Sequence, residues 1–136
     1  MQYRGFTRQA RKVMRIAERL AEKEQQLRMG SEYILAGLLQ ENDGVAGQIL
    51  QQLSVNCEEI LTLIHEISLP KTEEQVADGD FLTPESRAIV EEAYAVAERF
   101  DSELVGTEHL LFSIIEHRTS AAARMLLAMN INLGKV

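Results

Sequence analysis

The sequence predicts an all-α fold of two pseudo-symmetric four-helix repeats, and three observations carry that expectation. The stretch MGSEYILAGLL, residues 29–39, returns as VGTEHLLFSII, residues 105–115. Shifting the chain by 76 positions aligns Phe6–Cys57 with Leu82–Leu133 without a gap, and the punctuating residues match: Thr7/Thr83, Gly30/Gly106, Glu32/Glu108 and Asn56/Asn132. Apolar residues recur with the 3.6-residue period of amphipathic helices, and no segment alternates with the period of two that a half-buried strand requires. An ungapped register over 52 positions is the mark of a duplicated unit.

The first helix begins after Thr7 and carries Val13, Ile16, Ala17, Leu20, Ala21 and Leu27 on one face. Gly30 breaks it, and Ser31 is placed to cap a second helix whose face is Ile34, Leu35, Leu38 and Leu39. Asn42, Asp43 and Gly44 form the next break. A third helix holds Val45, Ala46, Ile49, Leu50 and Leu53, and a fourth holds Ile60, Leu61, Ile64 and Ile67 before Pro70 stops it. The polar stretch PKTEEQVADGDF, residues 70–81, reads as a linker between repeat one (1–69) and repeat two (82–136).

Repeat two opens with Thr83 as N-cap, Pro84 at the first helical position and Glu85 at the positive end of the helix dipole. Its helices follow on Ile89, Val90, Ala93, Val96 and Ala97, on Leu110, Leu111, Ile114 and Ile115, and on Ala122, Met125, Leu126 and Met129. Asn56 precedes a whole helix, whereas its partner Asn132 precedes only LGKV. The expectation is a last helix truncated in repeat two, in a chain cut from something longer or in a relative that lost the rest.

Composition sets the class. Hydrophobic residues at 46% and charged residues at 26% describe a globular domain rather than a disordered one. A net charge of −7 argues against general affinity for nucleic acid or an anionic membrane surface. Cys57 is the single cysteine, so no intrachain disulfide can form. The N-terminal residues lack the apolar core of a signal peptide, and no apolar run reaches the roughly 18 residues that would span a bilayer. The reading is a soluble cytoplasmic domain.

Catalytic templates are absent: there is no phosphate loop, dinucleotide fingerprint, HExxH, GxSxG or paired CxxC. His109 and His117 lie two turns apart, too far for one ion, so these and His65 read as surface or half-buried histidines and no metal is expected. Cys57 sits at a helix start, where the dipole could lower its pKa, but no base is placed beside it. No cofactor is implied, and no ATP hydrolysis is expected of this chain.

The constellation that carries chemistry is Thr7 with Glu32 and Thr83 with Glu108. Each Thr caps one helix, and each Gly-Ser/Thr-Glu opens the next. A helix start offers free N–H groups and a positive dipole to an anion, and a carboxylate there can hold a guanidinium. The competing account is that each Glu merely favours a first helical turn, an effect of roughly 0.3–1 kcal/mol.

The motifs GFTRQARKV, GSEYILAGLL, DGVAGQIL, LTPESRAIVEEA and VGTEHLLFSII together resemble the Clp N-terminal repeat domain of Hsp100-type AAA+ unfoldases, most closely the bacterial ClpC type, over nearly the whole chain. The resemblance implies a noncatalytic module, monomeric when isolated, above a hexameric ATPase ring that feeds the ClpP peptidase. Its implied partners are adaptor proteins and substrate proteins, including arginine-phosphorylated ones. It further implies one phosphoarginine site per repeat. Glu32 and Glu108 would hold the guanidinium; Thr7 with Gly30 and Ser31, and Thr83 with Gly106 and Thr107, would hold the phosphate. Ser31 stands where the family usually has Thr, Tyr33 where it has His, and Phe81 where ClpC often has a His before the Thr. The Phe81 change removes a potential phosphate contact. The alternative reading is a free-standing accessory protein of the same fold without its own ATPase.

Overall fold

The computed structural model describes residues 3–26, 28–41, 43–67 and 81–128, and among these are seven helices and no strand. They are α1 (Arg8–Lys23), α2 (Ser31–Gln40), α3 (Val45–Gln52), α4 (Cys57–Ile67), α5 (Pro84–Arg99), α6 (Thr107–Glu116) and α7 (Ala121–Ala128). The all-α duplicated architecture is thus as expected. Leu27, residues 70–80 of the expected linker, and Met129 with the truncated last helix lie outside the described residues.

Thr7 Oγ1 accepts from the Ala10 N–H at 3.1 Å to open α1, and Thr83 Oγ1 accepts from the Ser86 N–H at 3.1 Å to open α5. Both helices also end alike. Gln25 (φ 59°) and its counterpart Asp101 (φ 53°) are left-handed. The N–H groups of Gln26 and Ser102 reach back to the carbonyls of Ala21 and Ala97, each at 2.9 Å. This closing motif stops the helix whatever the apolar period says. It is why α1 ends at Lys23 rather than running on to Leu27.

The central helix α2 is buried almost all round, from Tyr33 to Leu39, because α1, α3, α4, α5, α6 and α7 all pack on it. A helix apolar on every side belongs in such a place. Within repeat one, α1 and α2 run antiparallel. Lys12 Nζ near the start of α1 meets the buried Glu41 Oε2 after the end of α2 at 3.2 Å. Phe6, Met14, Ile34, Leu35, Leu38, Leu50, Ile89, Leu110 and Ile114 are fully enclosed and form a core shared by both repeats.

The repeats are stitched by exchange. The Thr7 N–H donates to the Val105 carbonyl at 2.9 Å, and the Val105 N–H to the Gly5 carbonyl at 2.7 Å. The symmetric pair is the Met29 N–H to the Phe81 carbonyl at 2.6 Å and the Thr83 N–H to the Met29 carbonyl at 3.1 Å. Each repeat's opening segment therefore lies against the other repeat's second helix.

Candidate functional site

That exchange corrects the pairing expected from sequence order. Thr7 lies at the far end of the α1–α2 hairpin from Glu32. Its neighbour is the Val105–Gly106 turn that leads to Glu108, while Thr83 is joined to the Met29–Gly30 turn that leads to Glu32. The structure thus brings together two candidate composite sites, each from one helix start of each repeat.

Within each site the glycine makes room for the glutamate. Gly30 and Gly106 have ordinary extended backbones as the N-caps of α2 and α6. Their small size matters because a Cβ on Gly30 would collide with the Glu32 carboxylate, and one on Gly106 with the Glu108 carboxylate. The Gly-x-Glu spacing thus folds a carboxylate back across a helix start. Glu32 also accepts a hydrogen bond from its own backbone N–H.

Ser31 and Thr107 do not cap these helices, since each is the first helical residue after a glycine cap. Both are buried, and their hydroxyls are bonded within the fold. Ser31 donates to Glu85 Oε2 at 2.7 Å and accepts from the Ala122 N–H at 3.1 Å, while Thr107 Oγ1 accepts from the Ala46 N–H at 3.1 Å. Ala46 and Ala122 are themselves partners in the 76-residue repeat, so each repeat caps the third helix of the other. Both hydroxyls thus have a structural role in joining the repeats. Phe81 is half-buried against the core, and Tyr33 is buried within it.

The electrostatics of the glutamates differ. Burial pushes the Glu32 carboxyl above its ordinary value, and the like charge of Glu85 adds to the rise; its own amide and Arg124 act the other way. Ionised Glu32 therefore opposes folding at neutral pH. The opposition is absent below the ordinary value of 4.5, grows between it and the raised one, and is complete above that. Glu32→Gln is expected to melt at a higher temperature than the parent at neutral pH, and the gap should close as the pH is lowered past 4.5. Scanning calorimetry across that range checks it; a gap independent of pH would assign the difference to packing.

The Glu108 side chain is 40% exposed. The adjacent His109 is buried, not at the surface. Its Nδ1 accepts from the Gly106 N–H at 2.8 Å. That nitrogen carries no proton, so its 3.8 Å approach to Glu108 is a contact and not an ion pair. Glu108 borders an apolar recess of about 340 Å³ lined by Ile49, Phe100, Leu111, Phe112 and Ile115. Arg4, Arg8, Arg11 and Arg15, together with Tyr3 and Glu18, line a separate cleft of about 750 Å³ along α1.

Sequence reasoning missed Glu85, Arg124, Arg8 and the capping role of His109. The aligned repeats hold a signal for two of these: Glu85 stands opposite Gln9, and Pro84 opposite Arg8. The remaining sequence candidates stay apart. Cys57 is half-buried at the start of α4, and burial raises its thiol pKa, a hydrogen bond with Gln40 acting the other way and the charge of Glu58 adding to the rise. His65 lies 3.5 Å from Glu24, and His117 Nδ1 contacts the Ser113 carbonyl at 2.9 Å. Among the described residues no group of three His, Cys, Asp or Glu is arranged to hold a metal ion. None of the described helices is long and apolar enough to cross a membrane.

Residues 5–129 match the family described as the Clp repeat (R) N-terminal domain. The chain is 30% identical over 135 residues to the negative regulator of genetic competence ClpC/MecB of Bacillus subtilis, covering 99% of this chain and 16% of that protein. It is equally similar, at 30% over 135 residues, to the chaperone protein ClpB of Oceanobacillus iheyensis. The N-terminal domain of the Clp-protease-associated chaperone ClpD from Arabidopsis thaliana superposes with a TM-score of 0.77 at 14% identity, over 98% of this chain and 92% of that one, a likeness of fold. The chain spans about a sixth of the length of the curated relatives it matches.

Proposed function

Because the chain belongs to the Clp repeat (R) N-terminal domain family, we propose that it is the substrate- and adaptor-recognition domain of a ClpC-like ATP-dependent unfoldase. On this reading it has no catalytic step of its own. The ATPase ring, the hexamer and the hand-over to ClpP belong to the parent protein, in the cytoplasm. The mark it reads is phosphoarginine on proteins destined for unfolding.

The observation that carries this reading is the pair of carboxylates, Glu32 and Glu108. Each is folded over a glycine at a helix start, beside a Thr-capped helix of the other repeat. A carboxylate can take a guanidinium through paired charge-assisted hydrogen bonds, and a helix start with a nearby cation can take a phosphoryl group. Phosphoarginine presents both groups a short distance apart. The Glu108 side chain is 40% exposed and borders an apolar recess able to take an arginine's methylene chain, and the helix start joined to its turn carries Arg8.

Calorimetric titration with phosphoarginine tests the proposal, with free arginine and inorganic phosphate as controls. The parent chain should bind the doubly charged ligand in preference to either control. The double variant Glu32→Ala/Glu108→Ala should bind it at least about tenfold more weakly, the loss of one charge-assisted contact being roughly 1.5–3 kcal/mol. Its thermal midpoint should move by only a few degrees, since both residues sit at helix starts. Undiminished binding by the double variant would place recognition elsewhere and leave the duplication as architecture.

A further inference from the structure

The two composite sites differ at the positions that would face a phosphoryl group. The Glu108 site is completed by Thr7-Arg8-Gln9-Ala10, and the Glu32 site by Thr83-Pro84-Glu85-Ser86. In the first, the Ala10 N–H is taken by Thr7 Oγ1, but the next two positions supply backbone N–H groups, a neutral amide and the Arg8 cation. In the second, the Ser86 N–H is taken by Thr83 Oγ1, and Pro84 has no N–H to offer. The remaining position carries the Glu85 carboxylate.

That carboxylate is held firmly where an anion would approach. Glu85 Oε2 accepts from Ser31 Oγ at 2.7 Å and from the Ala121 N–H at 3.2 Å. With the Ser31 and Ser120 hydroxyls it caps the start of α7. The position aligned with it in repeat one is Gln9, which brings no charge. Glu85 also acts on Glu32 as a like charge, and its effect ranks above the opposing effect of Arg124.

We infer that Glu85 is a specificity determinant that bars phosphorylated ligands from the Glu32 site, so that each chain takes one phosphoarginine, at the site formed by Glu108 and the start of α1. The inference rests on the phosphoarginine reading above. A phosphoryl dianion at the Glu32 site would face a fixed carboxylate and a helix start with one fewer backbone donor. At the Glu108 site the corresponding helix start carries Arg8 and the uncharged Gln9 and no acidic residue.

Calorimetry with phosphoarginine on the whole 136-residue chain decides it, using single variants checked for helicity by circular dichroism. The parent should bind one equivalent. Glu108→Ala should weaken that binding at least about tenfold, and Glu32→Ala should leave it unchanged. Glu85→Gln matches the residue aligned with it and keeps an acceptor for Ser31 and the Ala121 N–H. It should add a second equivalent, bound roughly tenfold or more above what the parent shows there. Two equivalents of similar affinity in the parent would overturn the inference and leave the proposed function standing. So would loss of binding on Glu32→Ala with Glu108→Ala unaffected. An absence of binding in the parent and all variants would overturn both.

Discussion

Replacing Phe6 with Ala should lower the free energy of unfolding by about 3–5 kcal/mol, the usual loss for removing a buried aromatic ring. Phe6 is 0% exposed. Its ring lies 5.3 Å from that of Tyr3 and 5.4 Å from that of Tyr94, which belongs to the other repeat. The Tyr94 hydroxyl donates to the Arg4 carbonyl at 2.8 Å, and the backbone on either side of Phe6 is bonded to Val105. The ring thus anchors the segment that brings the start of α1 to Glu108. Against a typical stability of about 5–15 kcal/mol, such a loss removes a large share. Urea unfolding of the variant measures it. A loss below about 1 kcal/mol would mean that the N-terminal segment contributes little to the folded state.

The second large effect is expected at Gly37, a glycine in the middle of α2. Alanine is a better helix former than glycine by about 1 kcal/mol, so on propensity alone Gly37→Ala should stabilise. The tertiary contact reverses the sign. A Cβ at this position would stand 2.6 Å from the Val13 carbonyl oxygen and 3.2 Å from Val13 Cγ1. The obstacle is the backbone of α1, which cannot swing aside as a flexible side chain can. Overpacking of this kind costs about 1–3 kcal/mol, and here it must also outweigh the propensity gain. The net result should be a lower denaturation midpoint, with α1 and α2 pushed apart. At the equivalent crossing in repeat two the residue is Ser113, whose hydroxyl donates to the Ile89 carbonyl at 2.7 Å. Repeat two therefore accepts a side chain where repeat one has none. A Gly37→Ala variant more stable than the parent would show that the α1–α2 contact has slack.

Much of this was legible in the sequence, for local reasons. Thr7 and Thr83 announce helix starts because a hydroxyl one residue before a helix can meet the third amide along, a contact that needs no other part of the chain. The Gly-Ser/Thr-Glu stretches marked the second helix of each repeat for the same reason. The capping residue was misjudged there: Gly30 is the cap, and Ser31 turns inward to the other repeat. The end of α1 was misplaced because Gln25 carries no strong signal for the left-handed conformation it adopts. Burial of His109 depends on neighbours distant in sequence, so the local pattern left it as a surface or half-buried residue, whereas Cys57, with no base placed beside it, is the semi-buried residue expected.

By itself the sequence determined the helices, their duplication and the pairing of a capping threonine with a Gly-x-Glu helix start in each copy. Those features depend on periodicity and on contacts within a few residues, and a single chain displays them directly. Tertiary structure alone decided which threonine meets which glutamate. Two copies related by a pseudo-two-fold can keep their parts within each repeat or exchange them, and both arrangements satisfy the same local pattern. The exchange is made by backbone bonds from Thr7 to Val105 and from Met29 to Phe81, and by the hydroxyls of Ser31 and Thr107 on the opposite third helices. Once the exchange was made, Glu85 came to lie against Ser31 and act on Glu32, while the helix start joined to the Val105–Gly106 turn carries the uncharged Gln9 in its place. Two nearly identical motifs thereby acquired different electric surroundings, because charge acts through space and not along the chain.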